Sequence, residues 1–521
     1  MIATKSVRLS LLSLLVACSI AVATAQSPAS GNPAAPVASA KPSANVPALL
    51  LSDVHLDPFA DPAKVAKLNA APAAEWPAIL SAPASPTEAQ DFAALQKSCP
   101  TRGIDTSWVL WQSSLAAIHA NAAQAKFITL SGDLLAHSFD CKYKALLPKA
   151  SPADYTAFTE KTIRTIATTL RAALPGVPLY IAMGNNDSGC ADYALDATHD
   201  AFLGLVAKVI GESLPADLAP AERAAAVSDF AAGGNYSVPL AAVPHTRLLV
   251  IDDLFFSGKY ATCSGKTDPA PAAAQLAWLA EQIAHARQQH ERVWVMGHIP
   301  PGVDLYATAR KFANVCAGAK PQMFLANESM ANLLAQNADV VRLALFGHTH
   351  ADEMRLLTPE SVGQPSPAST TPNAVSTTPN AVPAAVTLPA AGVPLKVVAS
   401  ITPVNGNRPT FTLASIDPAT ASLADYTVVM ASNTTGLATI WVPEYTYSTT
   451  YHEPAFDAAS LSTLIPALEA DPAAKTPASQ AYLRNYFPGD LSKILQLAWP
   501  QYTCSLAHDS AAAFAACACA K

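Results

Sequence analysis

The chain is short of charge. Only 14% of its 521 residues are Asp, Glu, Lys or Arg, against roughly 25% in ordinary soluble domains. It also lacks a long apolar run beyond its N-terminus, where a membrane span would need roughly 18 or more such residues. Much of the 51% hydrophobic content is alanine, so a polytopic membrane protein is excluded. No Lys/Arg cluster stands out, and 32 basic against 39 acidic residues leave a net charge of −7. A nucleic-acid footprint is therefore absent. No cysteine pair has zinc-ribbon spacing. Long Val/Leu/Ile runs recur, which excludes disorder of the whole chain.

What is present begins with an export signal. Lys5 and Arg8 precede an apolar stretch from Leu9 to Val22, and Ala23-Thr24-Ala25 is an A-x-A cleavage pattern. Residues 1–25 thus read as a signal peptide of a periplasmic or secreted protein. Leu15-Val16-Ala17-Cys18 offers the alternative of a lipid anchor on Cys18. Loss of the signal takes Cys18 from the nine cysteines and leaves eight, an even number that suits disulfides in an oxidising compartment. Residues 26–46 form an Ala/Pro/Ser spacer. Residues 358–392 hold a second low-complexity tract with a tandem STTPNAV repeat, too rich in Pro and Thr to bury a core.

Between the tracts, apolar runs alternate with helical patterns, which argues for an α/β fold. Strand-like runs are Val46 to Ser52, Lys126 to Ser131, Val177 to Met183, Arg247 to Ile251, Arg292 to Met296 and Val340 to Phe346. Ser151-Pro152 with Asp154 starts a helix that runs to about Leu174. Asp268-Pro269 starts one to about His290, and Trp108 to His119 is a third. Beyond the insertion, Lys396 to Ser400, Thr410 to Ser415 and Tyr426 to Met430 read as antiparallel strands. The tail from 451 to 521 is more helical.

Five of the six runs lead directly into metal-type residues: Asp53 and His55, Asp133, Asn185, His298, and His348 with His350. Ligand sites of α/β sheets form at the carboxyl ends of strands, so these residues are expected to converge. Mixed imidazole and carboxylate suits zinc, with iron or manganese as alternatives, better than calcium or magnesium. Seven ligands exceed one tetrahedral ion and suit two divalent ions sharing a carboxylate. Glycines before most of the ligands are expected to let the backbone turn sharply. His119, His199, His285 and His290 read as ordinary helix or loop residues.

With these motifs in order, the sequence resembles the calcineurin-like metallophosphoesterases. Within them it is most similar to the acid sphingomyelinase-like phosphodiesterases and the endopolyphosphatases. Gly297-His298-Ile299-Pro300-Pro301-Gly302, the stretch from Gly347 to Glu353, the stretch from Gly132 to His137, and Tyr445-Thr446-Tyr447-Ser448 carry the likeness. It covers roughly Pro47 to the C-terminus apart from the insertion. The resemblance implies a two-sheet β-sandwich flanked by helices over 47–450, with a helical C-terminal region over 451–521. It also implies that Asp53, His55 and His350 hold one ion, that Asn185, His298 and His348 hold the other, and that Asp133 bridges them. A water between the ions would then attack phosphorus.

One departure from that pattern concerns the residue after the ligand Asn, which in many relatives is His. Here it is Asn186, which has no titratable proton near neutral pH. His137 becomes the candidate acid for the leaving group, or else a residue that orients phosphate. Asp187 is a candidate anchor. The resemblance suggests a Cys263–Cys316 bridge, and Cys99–Cys141 and Cys504 with Cys517 or Cys519 are further candidate pairs. Cys190 reads as structural. A spacer stands where a lipid-extracting module would precede a sphingomyelinase, which favours soluble phosphate compounds over sphingomyelin. The leading reading is an exported phosphodiesterase. Alternatives are an endopolyphosphatase or nucleotide phosphohydrolase, a non-catalytic metal-stabilised binding protein, and an adhesion protein.

Overall fold

The computed structural model describes residues 44–197, 200–311, 313–359, 392–489 and 493–521. The signal peptide with Cys18, most of the spacer and insertion, and His199 lie outside the described residues. Twelve strands occur among the described residues: β1 (Val46–Leu51), β2 (Ile128–Ser131), β3 (Leu179–Ala182), β4 (Tyr236–Pro239), β5 (Thr246–Val250), β6 (Arg292–Met296), β7 (Val341–Phe346), β8 (Glu353–Leu357), β9 (Val393–Val397), β10 (Thr410–Ile416), β11 (Leu423–Ala431) and β12 (Trp441–Thr446). They form two mixed sheets, β12-β11-β10-β1-β2-β3 and β4-β5-β6-β7-β9-β8.

The continuous apolar runs become the parallel strands: β1, β2 and β3 at one end of the first sheet, and β5, β6 and β7, joined by β9, in the middle of the second. Their alternation divides the apolar side chains between two cores. Leu248, Val250, Trp294, Met296, Leu343 and Leu345 pack toward the first sheet, with the Trp294 ring 5.9 Å from Phe127. Leu249, Ile251, Val293, Val295, Ala344 and Phe346 pack into a second cluster with the helix Ala270–Gln288. Such two-sided burial is why these runs read as continuous rather than alternating. Each fully buried Leu or Ile contributes about 1.5–3 kcal/mol relative to exposure.

The helix Pro152–Ala173 starts with a capping box: Ser151 Oγ accepts from the Asp154 amide, and Asp154 Oδ2 accepts from the Ser151 amide. The helix Trp108–Asn121 is capped by Ser107. Toward the C-terminus come helices Ala458–Glu469, Pro477–Asn485, Lys493–Cys504 and Ala511–Ala520. Leu461, Ile465, Tyr482, Trp499 and Tyr502 join the larger core.

Two expectations need correction. The segment after the insertion is not uniformly antiparallel, because β9 runs parallel to β7 and antiparallel only to β8. The cysteines pair as Cys99–Cys141, Cys190–Cys263, Cys316–Cys519 and Cys504–Cys517. Cys263 therefore does not bond Cys316. The loop after β3 lies against residues 259–263 through an Ala194–Ala261 bridge, which brings Cys190 to Cys263. Cys316 instead meets the C-terminal helix at Cys519.

Candidate metal centre

The carboxyl ends of β1, β2 and β3 face those of β6 and β7, and the seven motif residues meet there. Asp53, His55, Asp133 and His350 form one cluster of ligand atoms, and Asp133, His298 and His348 a second that shares Asp133. Asn185 lines the same cavity, of about 1000 Å³.

The backbone departs from the expected mechanism. Asp53, His55, Asp133, His348 and His350 themselves hold positive φ, between 44° and 73°. Non-glycine residues adopt this region at a cost of about 1–3 kcal/mol each, and such strain gathers at functional sites. Of the preceding glycines, Gly132 has positive φ (84°). At Gly184 and Gly347 the constraint is close approach. A Cβ at Gly184 would collide with the Asp133 carboxylate, and one at Gly347 with Ser52 Oγ and Asp53 Oδ2.

Hydrogen bonds orient three of the candidate ligands. His55 Nδ1 lies 2.7 Å from the Leu135 carbonyl, and His298 Nδ1 lies 2.7 Å from the Ser131 carbonyl. Each pairing turns Nε2 inward. The Asn185 amide donates to Asp192 Oδ1 at 2.8 Å, leaving its own oxygen free. His55 Nε2, His298 Nε2 and Asn185 Oδ1 are buried without a hydrogen-bond partner. Both Nε2 atoms face Asp133 Oδ2, at 3.3 and 3.1 Å. Inward lone pairs beside carboxylates, orphaned by the protein itself, fit divalent cations.

Carboxylates and imidazoles in the cluster stabilise one another's charge, while burial pushes His348 down to about 3 and lowers His350. Burial opposes charge on Asp53 and Asp133, yet the neighbouring histidines hold both carboxyls below the usual range. Against the same burial, Asp133 and Asp53 push His55 up to about 9 and His298 up to about 10.

A match to the calcineurin-like phosphoesterase model runs over residues 46–352. The chain belongs to that family. Among curated relatives it is 25% identical over 256 residues to sphingomyelinase phosphodiesterase C of Dictyostelium discoideum, covering 48% of this chain and 49% of that one. It is 24% identical over 254 residues to the human cyclic GMP-AMP phosphodiesterase SMPDL3A, covering 49% of each. The match thus spans about half the length of these relatives. The crystal structure of a dimetal phosphatase from Danio rerio aligns over 77% of this chain and all of that one, at 11% identity and a TM-score of 0.35.

The three remaining candidate residues have distinct places around this cluster. His137 lines the cavity, stacks on His55 at 4.1 Å, and its Nδ1 lies 2.8 Å from Asp105 Oδ1. Asn186 donates from both its backbone and its side chain to the Asp133 carboxylate, at 2.9 and 2.8 Å. Asp187 does not reach the cavity. Its oxygens accept from the Leu134, Leu135 and Gly184 amides, so it braces the turn that carries Asp133. Burial and the charge of Asp133 push its carboxyl up to about 7.

Sequence reasoning missed several residues. Asp253, just after β5, accepts from the His298 and Ile299 amides at 2.7 and 2.9 Å and sets the turn that presents His298. The Asp252-Asp253 pair closing the fourth strand-like run was a signal for it. Asp105, fully buried, also accepts from Thr402 and lies 3.8 Å from Lys142 Nζ. Burial opposes its charge, but His137, His55 and Lys142 hold its carboxyl low. It sits in an aperiodic loop, where no pattern marks it. Tyr193 and Lys259 line the cavity as well.

Proposed function

We propose that this chain is an exported phosphodiesterase that works with two divalent ions, zinc first among the candidates. The observation that carries the reading is the set of buried, partnerless His55, His298 and Asn185 atoms around Asp133. Asp53, His55, Asp133 and His350 would hold one ion, and Asp133, Asn185, His298 and His348 the other. When bound, such ions supply positive charge for the phosphoryl oxygens and acidify water.

The chain's own residues do the rest. Asn186 fixes the orientation of the Asp133 carboxylate, and Asp187 and Asp253 brace the turns beneath Asp133 and His298. Asp105 accepts the His137 Nδ1–H and leaves Nε2 to serve the cavity; when the ring is doubly protonated, Nε2–H gives its proton to the leaving-group oxygen and the ring is left neutral with its proton on Nδ1. The missing His after Asn185 is thereby replaced from β2's loop. Four disulfides support export, and among the described residues no helix is long and apolar enough to cross a membrane. The relatives' names point to a sphingolipid or a cyclic dinucleotide diester as substrate.

The test is metal analysis of the mature chain alongside turnover of bis-p-nitrophenyl phosphate, sphingomyelin, nucleotides and polyphosphate. About two ions per chain with diester hydrolysis are expected. Two ions without turnover on any of these would convert the reading to a metal-stabilised binding protein.

A further inference from the structure

The cavity contains three Lys or Arg side chains. Arg355 is buried and paired with Glu353 at 3.0 Å. Arg102 and Lys259 have no carboxylate within ion-pair distance among the described residues. Lys259 stands beside the metal centre. Its Nζ lies 4.5 Å above the Tyr193 ring and donates to Tyr193 Oη at 3.3 Å. That oxygen lies 3.5 Å from His348 Nε2. The nearby carboxylates are engaged elsewhere: Asp192 holds the Asn185 amide, and Asp304 accepts from the Ala307 amide at 2.8 Å.

The pair is deliberately held. Tyr193 belongs to the loop after β3 and Lys259 to the loop after β5. The Ala261 amide donates to the Tyr193 carbonyl at 3.0 Å, and the Leu195 amide to the Ala261 carbonyl at 3.1 Å. The Cys263 amide donates to Asp196 Oδ1 at 3.0 Å. The Cys190–Cys263 disulfide staples the same two loops. The Tyr193 amide in turn donates to the Asn185 carbonyl at 2.9 Å, tying the pair to a candidate ligand. A spare ammonium and a phenol, aimed into a cavity otherwise rich in carboxylates, make a donor pair for an anionic oxygen.

We propose that Lys259 and Tyr193 form a subsite for a second anionic group of the substrate, next to the scissile phosphate, and that the Cys190–Cys263 bridge keeps it assembled. The proposal rests on the phosphodiesterase reading. It makes Lys259 a specificity-determining residue: substrates with a further negative charge bind in preference to singly charged diesters.

Three probes test it: bis-p-nitrophenyl phosphate, p-nitrophenyl 3-carboxyphenyl phosphate, and P1,P2-di-p-nitrophenyl pyrophosphate. In Lys259→Met, kcat/KM for the two doubly charged probes should fall about ten- to a hundredfold, chiefly through KM, with a much smaller loss on the singly charged one. Lys259→Arg should restore most of the difference, and Tyr193→Phe should show the same selectivity more weakly. A loss confined to the pyrophosphate supports the subsite and narrows it to phosphate. Equal losses on all three probes, or none, overturn it. Lys259 is exposed, so misfolding does not explain its effect. Equilibrium binding of the methylene-bridged pyrophosphate analogue is measured in parallel. A chain that hydrolyses none of the probes refutes the phosphodiesterase reading. In that case weaker analogue binding by Lys259→Met still upholds the subsite, and unchanged binding overturns it.

Discussion

The two sheets make unequal contributions to the site between them. The first sheet, through the ends of β1, β2 and β3, provides every candidate oxygen donor: Asp53, Asp133 and Asn185. It adds one ligand imidazole, His55, and the proposed acid His137. The second sheet, through β6 and β7, provides only imidazoles: His298, His348 and His350. The hydrogen bonds cross the same seam, since His298 Nδ1 meets the Ser131 carbonyl and the His348 amide donates to Asp53 Oδ2 at 3.1 Å. Neither sheet carries a complete ligand set, so a working centre reports that the two halves have docked in register.

Substitutions can break this division of labour on either side. Asp133→Asn on the first sheet should have the largest effect, because it weakens the shared carboxylate of both clusters. Diester turnover should drop by about a thousandfold or more, and metal analysis should show fewer than two ions. Next comes His137→Ala, on the same side but outside the ligand set. We expect about a hundredfold loss on alkyl phosphodiesters and under about tenfold on p-nitrophenyl esters, whose leaving group needs little protonation. Full activity on alkyl diesters would remove His137 from the proposed role. On the second sheet, Asp253→Ala should lower metal affinity about ten- to a hundredfold by freeing the His298 turn, with activity recovered at excess metal. Failure of metal to rescue it would mean that Asp253 supports the fold rather than the ligand.

The smallest expected effect lies at the outer edge of the first sheet. Burial pushes the Glu444 carboxyl up to about 7, against the hydrogen bond from the Gly489 amide. The folded state thus binds this proton more tightly than the unfolded state. The contribution is fully present below about pH 4.5 and is lost as pH rises to about 7. Glu444→Gln should match the parent in urea midpoint at pH 4.5 and exceed it at pH 8. Parallel profiles would refute the assignment.

The same division explains what was legible in advance. Every candidate ligand follows a continuous apolar run, so local pattern and position together announced it. Strands that carry charge or alternate were hidden. β8 holds Glu353 and Arg355, both buried, within five residues. β4 is a short edge strand of alternating burial, and β12 is largely uncovered and contains Pro443. Asp105, Tyr193 and Lys259 lie in loops and acquire meaning only through distant partners. Disulfide connectivity is of the same kind, as the sequence separation of 203 between Cys316 and Cys519 illustrates. The candidate ligands were written locally, and the proposed substrate contacts were written across the fold.

Leu357 and Val393 are directly paired where β8 ends and β9 begins. The chain therefore leaves the second sheet and returns to it at adjacent points, at the end of β8 remote from His350. Closing a longer or shorter connection there changes stability by only about 0.6 kcal/mol per doubling of length. That position is a port in the architecture. A two-residue Asn-Gly turn, a fluorescent reporter or a whole guest domain could be spliced between those strands, with the proposed hydrolysis at the opposite end expected to be undisturbed.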